Sequence, residues 1–219
     1  MTCRVQALLL FASLAAPPFN HERHLPQLEG SGIKDLITLL VSLATLEAED
    51  GDLSSVTSAA QLATTKVINA ISAGEFLLAV TVTLRSTEPR VGPQLSRWYF
   101  SIDGAIQVKI GGLESLTARI SLVSEIVRQE HKTTMVKAIN RIDDIITRQS
   151  AGALVEAALA ALKAIASTHQ SGEDAALQAT LPHVMKVIRS RSSVAAALAI
   201  LPSYMYVAFT MHVFVLRKL

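Results

Sequence analysis

The residues best suited to metal chemistry lie near the start of the chain. His21 and His24 form an H-x-x-H pair, and on a helix the two imidazoles would share one face and could bind a metal ion. The surrounding stretch is flanked by prolines and offers Glu22 and Glu29 as further ligands. Cys3 is the single cysteine, so neither an intramolecular disulfide nor a thiolate cluster can form within one chain. We therefore predict a solvated linker here and no metal site.

A run of acidic residues resembles the opening of a calcium loop. It consists of Glu47, Glu49, Asp50 and Asp52. Counted from Asp50, the sixth position is Ser55 where a calcium loop has Gly, and the twelfth is Gln61 where it has Glu. The ligand pattern excludes an EF-hand and indicates an exposed turn that ends a helix.

The adjacent carboxylates Asp143 and Asp144 are candidates for paired acid–base catalysis. Neighbouring residues of a helix point about 100° apart, so the two side chains cannot readily face one substrate. Arg141 and Arg148 lie within about one turn of them. We expect surface ion pairs at this position.

Motifs of the common enzyme classes do not occur. The sequence contains no P-loop, no G-x-G-x-x-G, no H-E-x-x-H and no G-x-S-x-G. His131 and His212 are expected to be hydrogen-bonded structural histidines rather than catalytic bases. The sequence therefore predicts no catalytic residue and no cofactor, and an enzyme would need a site assembled from residues far apart in the chain.

The composition gives the chain little polar surface. Half of its residues are hydrophobic, 17% are charged and 5% are aromatic, whereas soluble domains average about 25% charged residues. We expect the excess apolar surface to be buried against a protein partner, a second copy or a membrane. The densest basic cluster, Lys186, Arg189 and Arg191, has no interleaved aromatic residues, which argues against nucleic acid as a partner.

Both ends of the chain are apolar. Arg4, the apolar residues 5–16 and Pro17-Pro18 have the layout of a signal peptide, and an apolar helix or strand packed on the body is the alternative. Residues 194–216 carry no formal charge and as a helix would span about 35 Å, enough for a hydrocarbon core of about 30 Å. A membrane anchor, a buried strand and a buried helix remain alternatives for this segment.

Apolar residues recur at helical spacing over most of the chain. The pattern predicts helices from Ile33 to Ala44 and over 54–72, which we interpret as an antiparallel pair. A heptad-like seam runs over 113–127 and resumes over 135–146, as two helices or as one long helix with a stutter. Ala-rich residues 154–165 and residues 177–188 resemble one helical hairpin of the armadillo or HEAT kind, without a strict repeat.

The segment between these helices reads as β-structure. Residues 76–84 include a run of four β-branched residues, and the runs 97–102 and 105–110 are joined by Asp103-Gly104, a preferred two-residue hairpin turn. Alternation places Trp98 and Phe100 on one face and Tyr99 on the other, and we expect a core role for part of this trio, with a binding or membrane-contact tip as the alternative.

The sequence thus predicts a mainly α, α-rich α+β protein of helical hairpins or a bundle, with a small antiparallel β element around residues 76–110. We expect an N-terminal segment and linker (1–30), a helical domain with a β-hairpin insertion (31–192) and an apolar C-terminal segment (193–219). The function expected is that of a non-enzymatic structural or interaction subunit of a larger assembly, membrane-associated, organellar or in the secretory pathway. The alternatives are a membrane-inserting or lipid-binding protein, pore-forming or tail-anchored, and an enzyme with an unrecognised site.

Overall fold

The computed structural model describes residues 31–48, 54–85, 98–100, 102–148, 152–168, 173–190 and 193–216. Within these ranges the chain is predominantly helical, which confirms the predicted mainly α class. It divides into two compact units, residues 1–115 and 116–219. The N-terminal segment, with the predicted targeting signal, His21 and His24, lies outside the described residues.

The elements up to residue 119 are α1 (Ser31–Ala44), β1 (Leu46–Ala48), α2 (Ser54–Ala70), α3 (Ala73–Thr83), β2 (Trp98–Phe100) and α4 (Ile102–Arg119). They are followed by a 3-10 turn (Ile120–Leu122), α5 (Glu125–Glu130), α6 (Lys132–Arg148), α7 (Ala153–Ser167), α8 (Asp174–Arg189) and α9 (Val194–Leu216).

The core of the first unit is built where α1, α2 and α3 pack against one another. The helices predicted over 33–44 and 54–72 are confirmed as α1 and α2. Their apolar stripes are buried, as the spacing requires: Ile33, Ile37, Leu40, Val41 and Ala44 on α1, and Val56, Ala60, Ala63, Val67 and Ile68 on α2. Each large side chain buried in this way contributes about 1.5–3 kcal/mol of transfer free energy.

The predicted antiparallel β element around residues 76–110 is wrong. Residues 73–83 form α3, and α4 begins at Ile102 and runs through the Asp-Gly pair that was expected to be a hairpin turn. Asp103 and Gly104 are the second and third residues of α4. The β-branched Thr81 and Thr83 donate their hydroxyl protons to the carbonyls of Leu77 and Val80, which suits a helix.

A short β pairing does occur, between different partners. Trp98–Phe100 pairs antiparallel with Leu46–Ala48, so that Leu46 lies opposite Phe100. The strand that pairs with β2 is therefore β1, which lies outside the segment in which the hairpin was predicted. The side chains of Trp98, Tyr99 and Phe100 lie outside what the structure describes, so a core role for part of this trio stays a prediction.

Two glycines in the middle of α4 mark a close helix contact. A Cβ atom at Gly112 would lie 2.5 Å from Oγ1 and 3.3 Å from Cβ of Thr83 on α3. A Cβ atom at Gly111 would lie 3.1 Å from Oγ1 of Thr65 on α2. The sequence pattern placed this Gly-Gly pair between the predicted strand 105–110 and the predicted helix that begins at 113. In the structure the pair lies within α4 and lets helices approach more closely than any other residue would allow.

The second unit is built mainly from four helices, in which α6 and α9 each pack against both α7 and α8, and it also contains the short α5. The seam predicted over 113–146 is interrupted: α4 ends at Arg119, and the 3-10 turn, α5 and α6 follow as separate elements. His131 marks the junction, and its backbone N–H ends α5 by donating to the Val127 carbonyl at 2.9 Å. The separate-helix alternative is therefore the one that holds.

The apolar C-terminal segment is a helix, α9, so the strand alternative is wrong. One side of its first half belongs to the core of the second unit, through Ala197, Ile200, Tyr204 and Val207. Among the helices in the part of the chain that the structure describes, none has the length and apolarity needed to cross a bilayer.

We expect Gly112→Ala to lower the free energy of unfolding by about 1–3 kcal/mol, because the new methyl group would overlap the buried Thr83. The Thr83 hydroxyl is held by its bond to Val80 and cannot move without losing it. Urea unfolding followed by circular dichroism measures the change.

Gly111→Ala is the matched control. Both substitutions gain about 1 kcal/mol in helix propensity. At position 111 the new Cβ atom would lie 3.1 Å from Thr65 Oγ1, and this looser contact costs little enough for the gain to offset it. A Gly112→Ala protein at least as stable as Gly111→Ala would contradict the close contact with Thr83.

Candidate interaction surface

The most deeply buried charge in the second unit is Arg128 on α5. Its Nε donates to Glu173 Oε1 at 3.1 Å, and its Nη2 forms an ion pair with Glu173 Oε2. Its Nη1 donates to the carbonyl and the hydroxyl of Thr168, the latter at 3.0 Å. Both Arg128 and Glu173 are buried. The pair therefore joins α5 to the residues that end α7 and begin α8, and Arg128 makes four hydrogen bonds within the protein.

A second polar cluster links α6 to α8. Asp143 Oδ1 lies 2.7 Å from His183 Nδ1, and both side chains are partly exposed. The expected ion pairs of this segment form at Asp144, which lies 3.5 Å from Arg141 and 3.6 Å from Arg148. Sequence reasoning missed the role of Asp143 because its partner is distant in the chain.

A third polar cluster holds α9 to its neighbours. The Tyr204 hydroxyl bonds Oγ1 of Thr180 on α8, and Oγ1 in turn donates to the Leu177 carbonyl at 2.7 Å. Since a threonine hydroxyl has one proton, Tyr204 is the donor in its own bond. On the other side, Ser203 Oγ lies 2.9 Å from Ser167 Oγ on α7.

Tyr204 is held in its protonated form. Burial raises the pKa of its phenol to about 12, and the negative charge of Asp143 adds to the rise. At neutral pH the phenol therefore serves as a hydrogen-bond donor and not as a base.

The opposite side of α9 is exposed and apolar. We define the outer face of α9 by the exposed residues that recur at spacings of three and four: Ala195, Leu198, Ala199, Pro202 and Met205. Leu198 is 49% exposed and Met205 is 74% exposed. No charged residue occurs in 194–216, so α9 has apolar side chains toward the core and toward solvent alike.

Other exposed apolar side chains are less continuous. In the second unit, Leu122 and Ile126 are exposed around the 3-10 turn and α5, with the exposed polar residues Ser124 and Glu125 between them. Scattered apolar residues of this kind are normal on a protein surface. The outer face of α9 differs because, among the described side chains of residues 194–207, every exposed one is apolar, which is typical of an interaction surface.

Basic and acidic residues are divided unevenly between the two units. Residues 116–219 hold twelve Lys and Arg against seven Asp and Glu, a net charge of +5, whereas residues 1–115 hold eight against eleven, a net charge of −3. Arg189 and Arg191 precede α9, and Arg217 and Lys218 follow it. In the sequence, the uncharged segment 194–216 is thus flanked by basic residues on both sides.

The remaining predicted sites contribute little to this picture. The acidic residues 49–52, Cys3 and the side chain of His212 lie outside the described residues. Where residues are described, no three His, Cys, Asp or Glu side chains lie close enough together to hold a metal ion.

Comparison of the chain with protein-family models, with curated proteins and with solved structures finds no match.

We expect Glu173→Gln to destabilise the protein by about 3–5 kcal/mol, because it leaves the buried Arg128 without its counter-charge. The double variant Arg128→Met/Glu173→Leu is expected to recover most of that loss, since apolar residues of similar volume replace both charges. Denaturant unfolding measures both. A double variant as unstable as the single one would contradict a role limited to mutual neutralisation.

Stability should fall in strongly alkaline solution. The pKa of Tyr204 is about 12 in the folded protein and about 10 in an unfolded chain, so its contribution is complete below pH 10 and is lost as the pH rises to 12. Between these values we expect a loss of about 1.4 kcal/mol per pH unit.

Tyr204→Phe removes this dependence. The variant should be about 1 kcal/mol less stable at pH 7, through loss of its hydrogen bond, and should show a flatter stability profile above pH 10. Thermal unfolding from pH 8 to 12 compares the two proteins, and parallel profiles would rule out Tyr204 as the titrating group.

Proposed function

We propose that this chain is a non-enzymatic interaction subunit, and that the outer face of α9 packs against a protein partner. The observation that carries the proposal is the uninterrupted apolar surface on a helix whose other side is already seated in a protein core. A partner would remove from water the surface that the four helices of the second unit leave exposed.

The energetics favour such an association. Burial of apolar surface contributes about 25 cal/mol per Å², and Met205 and Leu198 present much of their area to solvent. No charge on α9 has to be desolvated when the partner binds. The helix is also held rigidly by its hydrogen bonds to Thr180 and Ser167, so little order has to be gained on binding.

The polar clusters support a structural rather than a catalytic role. Arg128 and Glu173 are paired with each other, Arg128 also donates to Thr168, and Tyr204 stays protonated. The Asp143–His183 pair could orient an imidazole for acid–base chemistry. The hydroxyl of Thr180, one turn from His183, is buried and makes two hydrogen bonds, and therefore is not available as a nucleophile.

The proposal is tested with Leu198→Glu and Met205→Glu, combined in one chain. The matched control is Leu122→Glu, which places the same charge at a residue 78% exposed on the same unit. Each protein is first checked for an unchanged helical spectrum and thermal midpoint, because both substitutions lie on exposed positions.

Pull-down from the native cell extract then compares the proteins. We expect the wild type and Leu122→Glu to retain the same partner and the double variant to lose it. Flotation with liposomes runs in parallel. Identical retention by all three proteins, or flotation of the wild type without a protein partner, would contradict the proposal.

A further inference from the structure

We propose that α5 and α9 open together, coupled through the last turn of α7. When Arg128 leaves Glu173 and Thr168, the end of α7 loosens, and α9 then loses the hydrogen bond that it makes to that end. This coupling is independent of the proposed function.

The short helix α5 is held in the second unit mainly by one side chain. Of its six residues, Arg128 is the buried one, whereas Ile126 is 71% exposed and Val127 is half-buried. Burial of apolar side chains therefore contributes little to holding α5 in place. Isolated helices shorter than about 12–15 residues are also marginal in water. The position of α5 thus depends on the bonds that Arg128 makes to Glu173 and Thr168.

The buried ion pair holds α5 closed by a small margin. Arg128 and Glu173 both lose their hydration in the closed state, and this cost can exceed the attraction between the two charges. In the open state water hydrates both side chains again. A pair of apolar side chains would have no such alternative, because release would expose them to water. We therefore expect α5 to open at a lower free energy than the packed helices α6, α7 and α8 unfold.

The last turn of α7 connects this ion pair to α9. Thr168 accepts hydrogen bonds from Nη1 of Arg128 through its carbonyl oxygen and its hydroxyl oxygen. The preceding residue, Ser167, lies 2.9 Å from Ser203 of α9, measured between the two Oγ atoms. Of two consecutive residues, one is thus bonded to α5 and the other to α9. Because both contacts are made to the same end of a helix, and helix ends fray, loss of either contact weakens the other.

Opening changes which side chains of the second unit meet water. In the closed state the side chains of Arg128 and Glu173 are 1% and 4% exposed, and Ala197, Ile200 and Val207 on the inner side of α9 are fully buried. Release exposes the charged pair and loosens α9 over its apolar inner side. A binding partner that contacts these side chains only in the open state favours opening by its affinity for that state. The release of Arg128 therefore controls access to an apolar surface.

Hydrogen exchange of the full-length chain, followed by mass spectrometry, tests the coupling in both directions. Glu173→Gln removes the counter-charge of Arg128 and should speed amide exchange about tenfold or more in α5 and in residues 197–207 of α9. Coupling between two sites is reciprocal. Ser203→Ala should therefore speed exchange in α5 about threefold, the effect of one lost hydrogen bond. Residues 138–146 of α6 are the reference and should change less, since α6 stays folded.

Two substitutions on α6 are the matched controls. Asp144→Asn removes an equal charge from the exposed ion pairs with Arg141 and Arg148. Thr147→Ala removes a hydroxyl whose hydrogen bonds stay within its own helix. Neither substitution should alter exchange in α5 or α9.

The reactivity of Arg128 gives a second measurement. Phenylglyoxal modifies accessible arginine side chains, and Arg148, whose side chain is 77% exposed, supplies the reference rate. We expect Ser203→Ala to speed the modification of Arg128 about threefold and to leave the rate at Arg148 unchanged.

Two results would overturn the coupling. If Ser203→Ala leaves both exchange in α5 and the modification of Arg128 unchanged, the two helices open independently. If Glu173→Gln speeds exchange in 197–207 only as much as in α6, α9 loosens only when the whole unit unfolds. Ser203→Ala changes one partly exposed hydroxyl, so its result decides the matter even where Glu173→Gln does not fold.

Discussion

A guanidinium group removed from water has to find its counter-charge inside the protein, and Arg128 imposes this requirement on the second unit. Glu173 supplies the negative charge, and Thr168 supplies a carbonyl and a hydroxyl to the remaining donors. These two residues stand at the end of α7 and at the start of α8. One side chain on a short helix thus fixes the relative positions of the two helices on which α6 and α9 both pack.

The seating of α9 depends on that arrangement. Its inner side reaches α8 through Tyr204 and α7 through Ser203, so both bonds require α7 and α8 to be correctly spaced. A helix this apolar would otherwise have several ways of burying itself, because hydrophobic contact has no direction. The directional hydrogen bonds select which side of α9 faces inward and therefore which side faces solvent.

Periodicity predicted the helices well where one face is polar. α1, α2 and α6 were predicted because solvent-facing residues interrupt the apolar ones at the spacing of a helix. The prediction failed over α3, where Phe76, Leu77, Ala79 and Val80 are all buried and no alternation distinguishes helix from strand. It failed again at Asp103-Gly104, because the same dipeptide that favours a hairpin turn is tolerated in the first turn of α4.

The outer face of α9 and the polar clusters beneath it could be predicted only in part. The absence of charge in 194–216 was visible in the sequence, but a uniformly apolar segment does not reveal which residues face the core. The pairs Arg128–Glu173 and Asp143–His183 join residues 45 and 40 positions apart, and no local pattern connects them. Such pairs arise from the packing of helices, which single-sequence periodicity does not specify.

Pro202 gives the outer face of α9 one polar feature. Proline has no backbone N–H, so Pro202 cannot donate the usual helical hydrogen bond to the carbonyl oxygen of Leu198. The regular helical pattern of hydrogen bonds is therefore interrupted at the middle of the outer face of α9, at the turn that joins Leu198 to Pro202. A helix can bend at such a turn, so Pro202 also influences the curvature that the outer face presents to solvent.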